Sequence, residues 1–374
     1  MAARKRFDKM EPFSNSDNVK HTKEEPEANP RETKKTAVHT YLFRPAEHTG
    51  KINKVYAVGF IHVFIPFVAA FILSVISRFL TVSGAFDGLS ASSNLVIKCI
   101  SYLIIFVLPA VVYCKVRKKS LHTELSLHRF SLSYLPFILI GFLLLITIIA
   151  TGRISIAYFF PGAETENYLY IGREENKLGI ILAYAIFPAV CEELLLRGLI
   201  QNGISEKAGA FTGITVSALA FALLHLDFKY FTVYLICGFI LAICAHVTNS
   251  VFPSIMLHTL NNLFSLVFSA RLSFIASERT GNSLLIIILV FFVFLILLFY
   301  LKSLESICVK KAYIEDIKSS SSEEDAKASH HSRMSYRTPF RMSASTGYSF
   351  HKFLRVIFSP VLIVTAIIFM FAVV

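Results

Sequence analysis

Long apolar stretches limit, more than any other feature, how this chain of 374 residues folds. Crossing about 30 Å of hydrocarbon takes about 20 apolar residues, and a lone spanning segment forms a helix because a helix satisfies its backbone hydrogen bonds internally. Apolar residues make up 55% of the chain and charged residues 17%, which excludes a soluble domain. We therefore predict an all-α fold, a polytopic membrane helix bundle with an eight-helix core and a C-terminal ninth transmembrane helix. The predicted spans are 55–77, 94–114, 132–151, 178–200, 207–226, 230–247, 252–270, 282–301 and 353–374.

Polar segments flank these spans and divide the chain into four regions. Residues 1–54 are rich in Lys, Arg, Glu and Pro and have no apolar period, which predicts a disordered basic cytosolic arm. Residues 302–352 include a Ser-rich low-complexity segment, which predicts a disordered cytosolic linker. Between them lies the transmembrane core, 55–301, and after them the C-terminal transmembrane helix, 353–374.

The charges of the loops predict how the bundle is oriented. The segment 114–120 is the most basic short loop, whereas 81–94 has no Lys or Arg. Since basic loops stay in the cytosol, we expect a multi-pass protein of the cell membrane with a cytosolic N-terminus. The formal net charge of +12 lies mostly in arms and loops beside apolar spans. The expected partner of these charges is the lipid bilayer and not nucleic acid.

The cysteines lie within or near the apolar spans and show no CxxC spacing. We expect them to act as small buried hydrophobic residues, in neither disulfides nor zinc sites. The six are Cys99, Cys114, Cys191, Cys237, Cys244 and Cys308.

Ionisable residues inside a span are costly and therefore mark candidate functional sites. Three of them lie in the stretch PAVCEELLLRG, residues 188–198. Glu193 and Arg197 are four residues apart and share a helix face, which predicts a structural ion pair. Glu192 is turned by about 100° from that face, and an unpaired carboxylate in low dielectric can exchange a proton near neutral pH, as a general base must. Lys98, near the outer end of the second span, is expected to reach the interface by snorkelling.

Two further spans carry polar residues at four-residue spacing. Phe221 and His225 share a face in FALLH, and His258 and Asn262 share a face in HTLNN. A lone histidine at a helix end is often solvated or capping, so His225 by itself has two interpretations. An imidazole and an amide that point together are suited to donate hydrogen bonds to a developing oxyanion.

Taken together, EELLLR, FALLH and HTLNN resemble the motifs EExxxR, FxxxH and HxxxN of the CAAX protease and bacteriocin-processing family, which includes the Ras-converting CAAX endopeptidase. The three occur in the family's order within about 178–270. The resemblance implies a CAAX-type intramembrane endopeptidase, a hydrolase that acts on a peptide or protein substrate at the membrane. Its transmembrane protease core is the region 55–301.

This resemblance also assigns a role to each motif. Glu192 and His225 would activate a water molecule for attack on a peptide carbonyl. His258 and Asn262 would hold the resulting oxyanion. The supporting residues of the first motif would be Glu193 and Arg197.

Other interpretations of the same residues stay open. Two histidines and a carboxylate can hold zinc with water in the fourth position, but the chain has no HExxH motif, so a metal-free mechanism is favoured, no cofactor is predicted, and zinc is the alternative. The same fold can also serve as a non-catalytic membrane scaffold or bacteriocin-immunity factor. A transporter is a further possibility, since buried Glu and His form proton relays.

The predicted spans contain one conflict about depth. If 207–226 and 230–247 both cross fully, His225 lies near the outer face and His258 near the inner face, too far apart to share one water. Either the sixth segment is tilted or incomplete, or the fifth and seventh helices are displaced in depth around a protein-lined cavity. The sequence leaves both solutions open.

Overall fold

The computed structural model describes residues 55–160, 176–278, 283–328 and 350–372. Every regular element within these ranges is helical, and the longer ones are numbered here α1 to α10. The predicted arm, residues 1–54, lies outside the described residues, as does the part of the predicted linker at 329–349. The helices are α1 Val55–Val82, α2 Ala91–Val116, α3 Leu135–Phe159, α4 Lys177–Ala208, α5 Ala210–Leu224, α6 Phe231–Thr248, α7 Val251–Glu278, α8 Ser283–Ala328, α9 Phe350–Ile357 and α10 Pro360–Ala372.

Helix lengths support a membrane-spanning bundle. Among the described residues, seven helices are long and apolar enough to cross a bilayer, namely α1 to α4 and α6 to α8. The predicted fold class, an all-α polytopic membrane protein, is confirmed. The two remaining apolar helices, α5 with 15 residues and α10 with 13 residues, are shorter. At about 1.5 Å of rise per residue, they extend about 22 Å and about 20 Å, less than the thickness of the hydrocarbon core.

Two prolines shape the helices that later prove to line the site. A π-helical turn, Leu103–Val107, precedes Pro109 in α2, and another, Leu182–Ile186, precedes Pro188 in α4. Proline lacks an N–H and its ring clashes with the carbonyl four residues before it. A widened π turn relieves that clash, so each helix continues across its proline with a local change of direction.

Helix α4 occupies the centre of the bundle. It contacts α1 and α2 on one side and α5, α6 and α7 on the other. Half of the hydrophobic stretch of α4 is buried inside the protein, compared with 6% for the peripheral α8. The charged motif of α4 therefore lies among other helices and not against lipid.

Helices α5 and α6 pack with their backbones in close contact. A Cβ placed on Gly238 of α6 would lie 2.9 Å from the Cα and carbonyl oxygen of Ala218 in α5. Because only glycine leaves room for this approach, Gly238 sets the distance between the two helices. The carbonyl oxygen of Gly238 thereby comes close to α4, where it accepts a hydrogen bond described below.

The start of α7 is anchored by the polar loop after α2. Val251 donates its backbone N–H to the carbonyl of Ser126 at 3.1 Å, and the hydroxyl of Ser250 donates to the carbonyl of His128. The side-chain amide of Asn202 in α4 also hydrogen-bonds with the Ser126 hydroxyl. This loop therefore fixes α7 relative to α4, two helices that both carry site residues.

Two predictions for the C-terminal part of the chain need correction. Residues 302–328 were predicted to be disordered, but α8 continues through them to Ala328. Leu304, Ile307 and Cys308 give the turns after residue 301 an apolar face at helical spacing, and Leu304 and Cys308 are buried. The predicted ninth helix is divided just before Pro360 into α9 and α10, in agreement with the helix-breaking effect of proline. Phe369 of α10 packs on Phe231 of α6, with 5.6 Å between ring centroids.

All six cysteines lie among the described residues as free thiols. Five are buried and Cys99 is half-buried.

Candidate active site

The ion pair expected from the first motif is present in α4. Nη1 of Arg197 donates to Oε1 of Glu193 at 2.7 Å, and both side chains are fully buried. Nη2 of Arg197 donates to the carbonyl of Gly238 at 3.2 Å. The charged pair thus connects α4 to α6, and its guanidinium has a neutral acceptor as well as a charged one.

Glu193 has a second partner that its local sequence does not reveal. Nδ1 of His258 in α7 lies 2.9 Å from the same Oε1 atom. A carboxylate accepts hydrogen bonds, so Nδ1 of His258 carries a proton and Nε2 faces away from Glu193. Glu193 therefore orients the imidazole of His258 in addition to pairing with Arg197.

Phe221 is the centre of an aromatic cluster around these groups. The guanidinium carbon of Arg197 lies 4.7 Å from the centroid of the Phe221 ring, a cation–π contact. The ring of His225 lies 4.4 Å from it and the ring of His258 lies 5.4 Å from it, in an edge-on arrangement. The phenylalanine of the second motif thus holds both histidines at fixed positions.

His225 follows the last residue of α5 and caps that helix. Its Nδ1 lies 2.8 Å from the carbonyl oxygen of Phe221, and since a carbonyl only accepts, Nδ1 is the protonated nitrogen. In the neutral ring, Nε2 is then an acceptor. Tyr234 of α6 stacks on the imidazole with 3.9 Å between centroids. Capping and a role in a site, the two interpretations of His225, are therefore compatible.

One cavity of about 140 Å³ is lined by residues from all three motifs. Glu192, His225, His258 and Asn262 line it, whereas Glu193 and Arg197 do not. Glu192 is 7% exposed, and no hydrogen bond joins its carboxylate to another described residue. The amide of Asn262 donates weakly to the carbonyl of Ala185, at 3.4 Å. The volume exceeds that of a single water site.

His225 and His258 line the same cavity, although the predicted spans placed them near opposite faces. His225 follows a helix of 15 residues, so it does not reach as far as the end of a full crossing. His258 lies seven residues after the start of α7 at Val251, about 10 Å along the axis. The two residues therefore meet at one cavity, and the helix between them, α6, has 18 residues.

Known proteins are similar to this chain in the region that contains the three motifs. Residues 174–264 match the family model described as "Type II CAAX prenyl endopeptidase Rce1-like". The chain is also similar to a Bacillus subtilis (strain 168) protein named "Putative membrane peptidase YdiL", with 26% identity over 117 residues. That match covers 31% of this chain and 48% of the relative, so the chain spans about half of the relative's length. No solved structure is significantly similar to this chain.

The predicted family resemblance is confirmed. The matched segment contains all three motifs, from Glu192 to Asn262. It also contains the whole of α4 to α6 and the first half of α7. The resemblance to CAAX endopeptidases therefore rests on the segment that contributes six of the eight residues lining the cavity, whereas Lys98 and Tyr102 lie outside it.

Four residues of the cavity wall were not among the predicted site residues. Lys98 was expected to snorkel to the interface, but it lines the cavity with its Nζ 3.7 Å from the centroid of the Tyr184 ring, so that expectation was wrong. A signal was present, because Lys98 and Tyr102 are four residues apart in α2 and share a face. The four residues are Lys98, Tyr102, Tyr184 and Pro188.

The alternative of a zinc site depends on how the His, Cys, Asp and Glu side chains are arranged. A zinc site needs three protein ligands that converge at about 2.0–2.3 Å from one point. Within the described ranges, no group of three or more His, Cys, Asp or Glu side chains has such an arrangement. Both histidines use Nδ1 in hydrogen bonds, so only Nε2 of each ring faces other partners.

Proposed function

We propose that the protein is an intramembrane endopeptidase that hydrolyses a peptide bond in the cavity between α2, α4, α5 and α7. One observation carries the proposal: an unpaired carboxylate, two oriented imidazoles and an amide line the same cavity. These are the groups that a general base and an oxyanion site require. The family match supports a peptidase in general.

Water activation is assigned to Glu192 and His225. Glu192 is buried and lacks a hydrogen-bonding partner among the described residues, so its carboxylate is available to accept a proton. Nε2 of neutral His225 is an acceptor as well, which orients the water between the two groups. As the water oxygen bonds to the peptide carbonyl carbon, Glu192 takes its proton. When the C–N bond breaks, that proton passes to the leaving amine.

The tetrahedral oxyanion is assigned to His258 and Asn262. Asn262 has two amide N–H donors, and the contact with Ala185 uses one of them. Nδ1 of His258 is engaged by Glu193, so donation from Nε2 requires the doubly protonated ring, which carries a positive charge. Glu193, 2.9 Å away, stabilises that charge, and Arg197 holds Glu193 in place. The ion pair thus supports the site without touching the substrate.

A CAAX-type substrate is the finer part of the proposal. The matched family model is described as a prenyl endopeptidase, which suggests a lipid-modified peptide near its C-terminus. A cavity between helices that are long and apolar enough to span a membrane suits a substrate held in the bilayer. The other functions considered above, a scaffold or a transporter, have no comparable observation in their favour.

The test is cleavage by the full-length protein in proteoliposomes. Fluorogenic peptides are offered, some with a prenylated C-terminal CAAX sequence and some unmodified. Glu192→Gln and His225→Gln are each expected to lower kcat by roughly 10²–10⁴, with gel-filtration profiles unchanged. Glu124→Gln, in the loop after α2, is the matched control and is expected to retain activity. Cleavage by both site variants at the wild-type rate contradicts the proposal.

A metal-free mechanism is part of the same proposal. It rests on the sequence, which has no HExxH motif. Cleavage is therefore expected to persist after dialysis against 1,10-phenanthroline and EDTA. Loss of activity that Zn²⁺ restores assigns the site to a zinc-dependent form of the enzyme instead.

A further inference from the structure

Lys98 belongs to the cavity but has no role in the steps proposed above. It lies in α2, and its side chain lines the cavity together with Glu192, His225 and Asn262. Its ammonium sits 3.7 Å above the ring of Tyr184. We propose that Lys98 is a specificity-determining residue that binds a carboxylate of the peptide substrate close to the scissile bond.

The ammonium of Lys98 lacks a charged partner of its own. Among the described residues, no carboxylate forms an ion pair with it, although Glu192 lines the same cavity. Stacking on Tyr184 attracts the cation by the ring quadrupole but provides no anionic acceptor for its N–H groups. A lysine in this setting contrasts with Arg197, whose guanidinium has a carboxylate and a carbonyl as acceptors.

A cation in a cavity of low dielectric favours an anionic ligand. The interaction is stronger there than in water, and binding an anion relieves the cost of leaving the cation unpaired. The proposed reaction adds to this, because Glu192 becomes neutral when it accepts the proton of the water. The negative charge moves to the tetrahedral oxyanion, which is assigned to His258 and Asn262, so a carboxylate of the substrate is the group left to pair with Lys98.

The anion that a peptide offers is a carboxylate. It comes either from the free C-terminus of the chain or from an Asp or Glu side chain. A cavity of about 140 Å³ holds only a short part of a peptide, so the carboxylate lies close to the bond that is hydrolysed. This inference rests on the proposed peptidase function and adds to it a preference for a negatively charged group.

The experiment compares three forms of one cleaved peptide in proteoliposomes. The first has a free C-terminal acid, the second a C-terminal amide, and the third an amide with an Asp near the scissile bond. Wild-type protein is expected to cleave the best acidic form with kcat/KM roughly tenfold to a hundredfold above the neutral amide. Preference for the first form identifies the C-terminus as the source, and preference for the third identifies a side chain.

The variants test whether Lys98 produces this preference. In Lys98→Met, the ratio between the acidic and neutral peptides is expected to fall to near one, and in Lys98→Arg it is expected to persist. Lys115→Met, an exposed lysine at the other end of α2, is the control and should keep the wild-type ratio. Gel filtration and the unfolding midpoint check that each variant folds.

The outcomes separate this inference from the proposed function. Wild-type cleavage of all three peptides at equal rates overturns the role of Lys98 but leaves the peptidase in place, and this result needs no variant. An equal loss on acidic and neutral peptides in Lys98→Met also overturns it, since the residue then acts on Glu192 or on the fold. If the wild-type protein cleaves none of the peptides, both the function and the inference fail.

Discussion

Glu192 and Glu193 are adjacent in α4, yet they lie in two different environments. On the face toward α6 and α7, Glu193 bonds with Arg197 and His258, and all three side chains are almost fully buried. On the cavity face, Glu192 and Lys98 have opposite charges but do not form an ion pair. The first environment satisfies each charge, and the second leaves two charges open to a ligand.

This contrast separates structural charges from reactive ones. A buried charge is tolerated when it is paired and hydrogen-bonded, and removing one partner of such a pair is strongly destabilising. An unpaired ionisable group in a membrane bundle is costly, and it is normally found where it serves a function. We therefore expect substitution of Glu193 to lower mainly stability and substitution of its neighbour Glu192 to lower mainly activity.

The largest effect on stability is expected for Glu193→Gln. The substitution leaves Arg197 buried without its charged partner and weakens the bond to His258, which costs about 3–5 kcal/mol of unfolding free energy. Reversible unfolding in mixed detergent and SDS micelles measures this. The double variant Glu193→Gln with Arg197→Met is expected to recover part of the loss, because no unpaired charge remains.

Glu192→Gln provides the matched comparison for this stability measurement. It has the same chemistry one residue away, and its expected change in unfolding free energy is within about 1 kcal/mol, since no bond to a described residue is lost. Equal destabilisation by the two variants would show that the environments do not differ in the way described. A loss of activity with retained stability at Glu192 supports the contrast.

Asn262→Ala is expected to produce the next largest effect, on catalysis. Removing one donor to an oxyanion typically lowers kcat by about 10²–10³, which corresponds to about 3–4 kcal/mol of the barrier. The folded state loses only the weak contact with Ala185, so stability changes little. Steady-state kinetics in proteoliposomes measure the fall, with the exposed Asn94→Ala as control. An increase in KM with unchanged kcat would assign Asn262 to substrate binding instead.

The close contact between α5 and α6 predicts a smaller change. In Gly238→Ala, the added Cβ meets the backbone of Ala218 at 2.9 Å, and the helices have to separate. We expect a loss of about 1–3 kcal/mol of unfolding free energy. Gly141→Ala in α3 is the control, because its Cβ meets side chains at 3.4 Å or more and alanine favours a helix. Equal effects at the two glycines contradict the close packing of α5 and α6.

Local features of the site were predictable from sequence. The length and composition of the spans predict a helical membrane bundle, and the four-residue spacing of Glu193 and Arg197 predicts their ion pair, because both depend only on neighbours along the chain. The same spacing argument places Phe221 with His225 and His258 with Asn262. The resemblance of the three motifs to one family extends this to a shared site.

Features that depend on contacts between distant helices were not predictable. The bond between His258 and Glu193 joins residues 65 positions apart, and no periodicity within α4 or α7 indicates it. The position of Lys98 depends on how α2 packs on α4, since an identical lysine on a lipid-facing side would snorkel. Whether His225 and His258 meet depends on the length of α5. The apolar stretch in the sequence predicts 207–226 for this helix, which is longer than the observed Ala210–Leu224.

The smallest expected effect comes from an ion pair in the loop after α2, which repeats the chemistry of the buried pair in solvent. Nζ of Lys119 lies 2.9 Å from Oε1 of Glu124, with the side chains 47% and 22% exposed. Because water competes for both groups, we expect Glu124→Gln to cost roughly 0.2–1 kcal/mol of unfolding free energy.

Salt and pH distinguish this exposed pair from the buried one. The hydrogen bond to Glu124 raises the pKa of Lys119 above its ordinary value of 10.5. A raised lysine pKa stabilises the folded state at neutral pH, and this contribution is lost as the pH rises through the folded-state pKa, above 10.5.

In unfolding measurements at about 1 M salt, where the Debye length is about 3 Å, the effect of Glu124→Gln should approach zero. The effect of Glu193→Gln should persist, because the low dielectric around that pair excludes mobile ions. If salt reduced both effects in the same proportion, the Glu193 pair would be accessible to solvent. The contrast between the buried environment of Glu193 and the cavity environment of Glu192 would then be wrong.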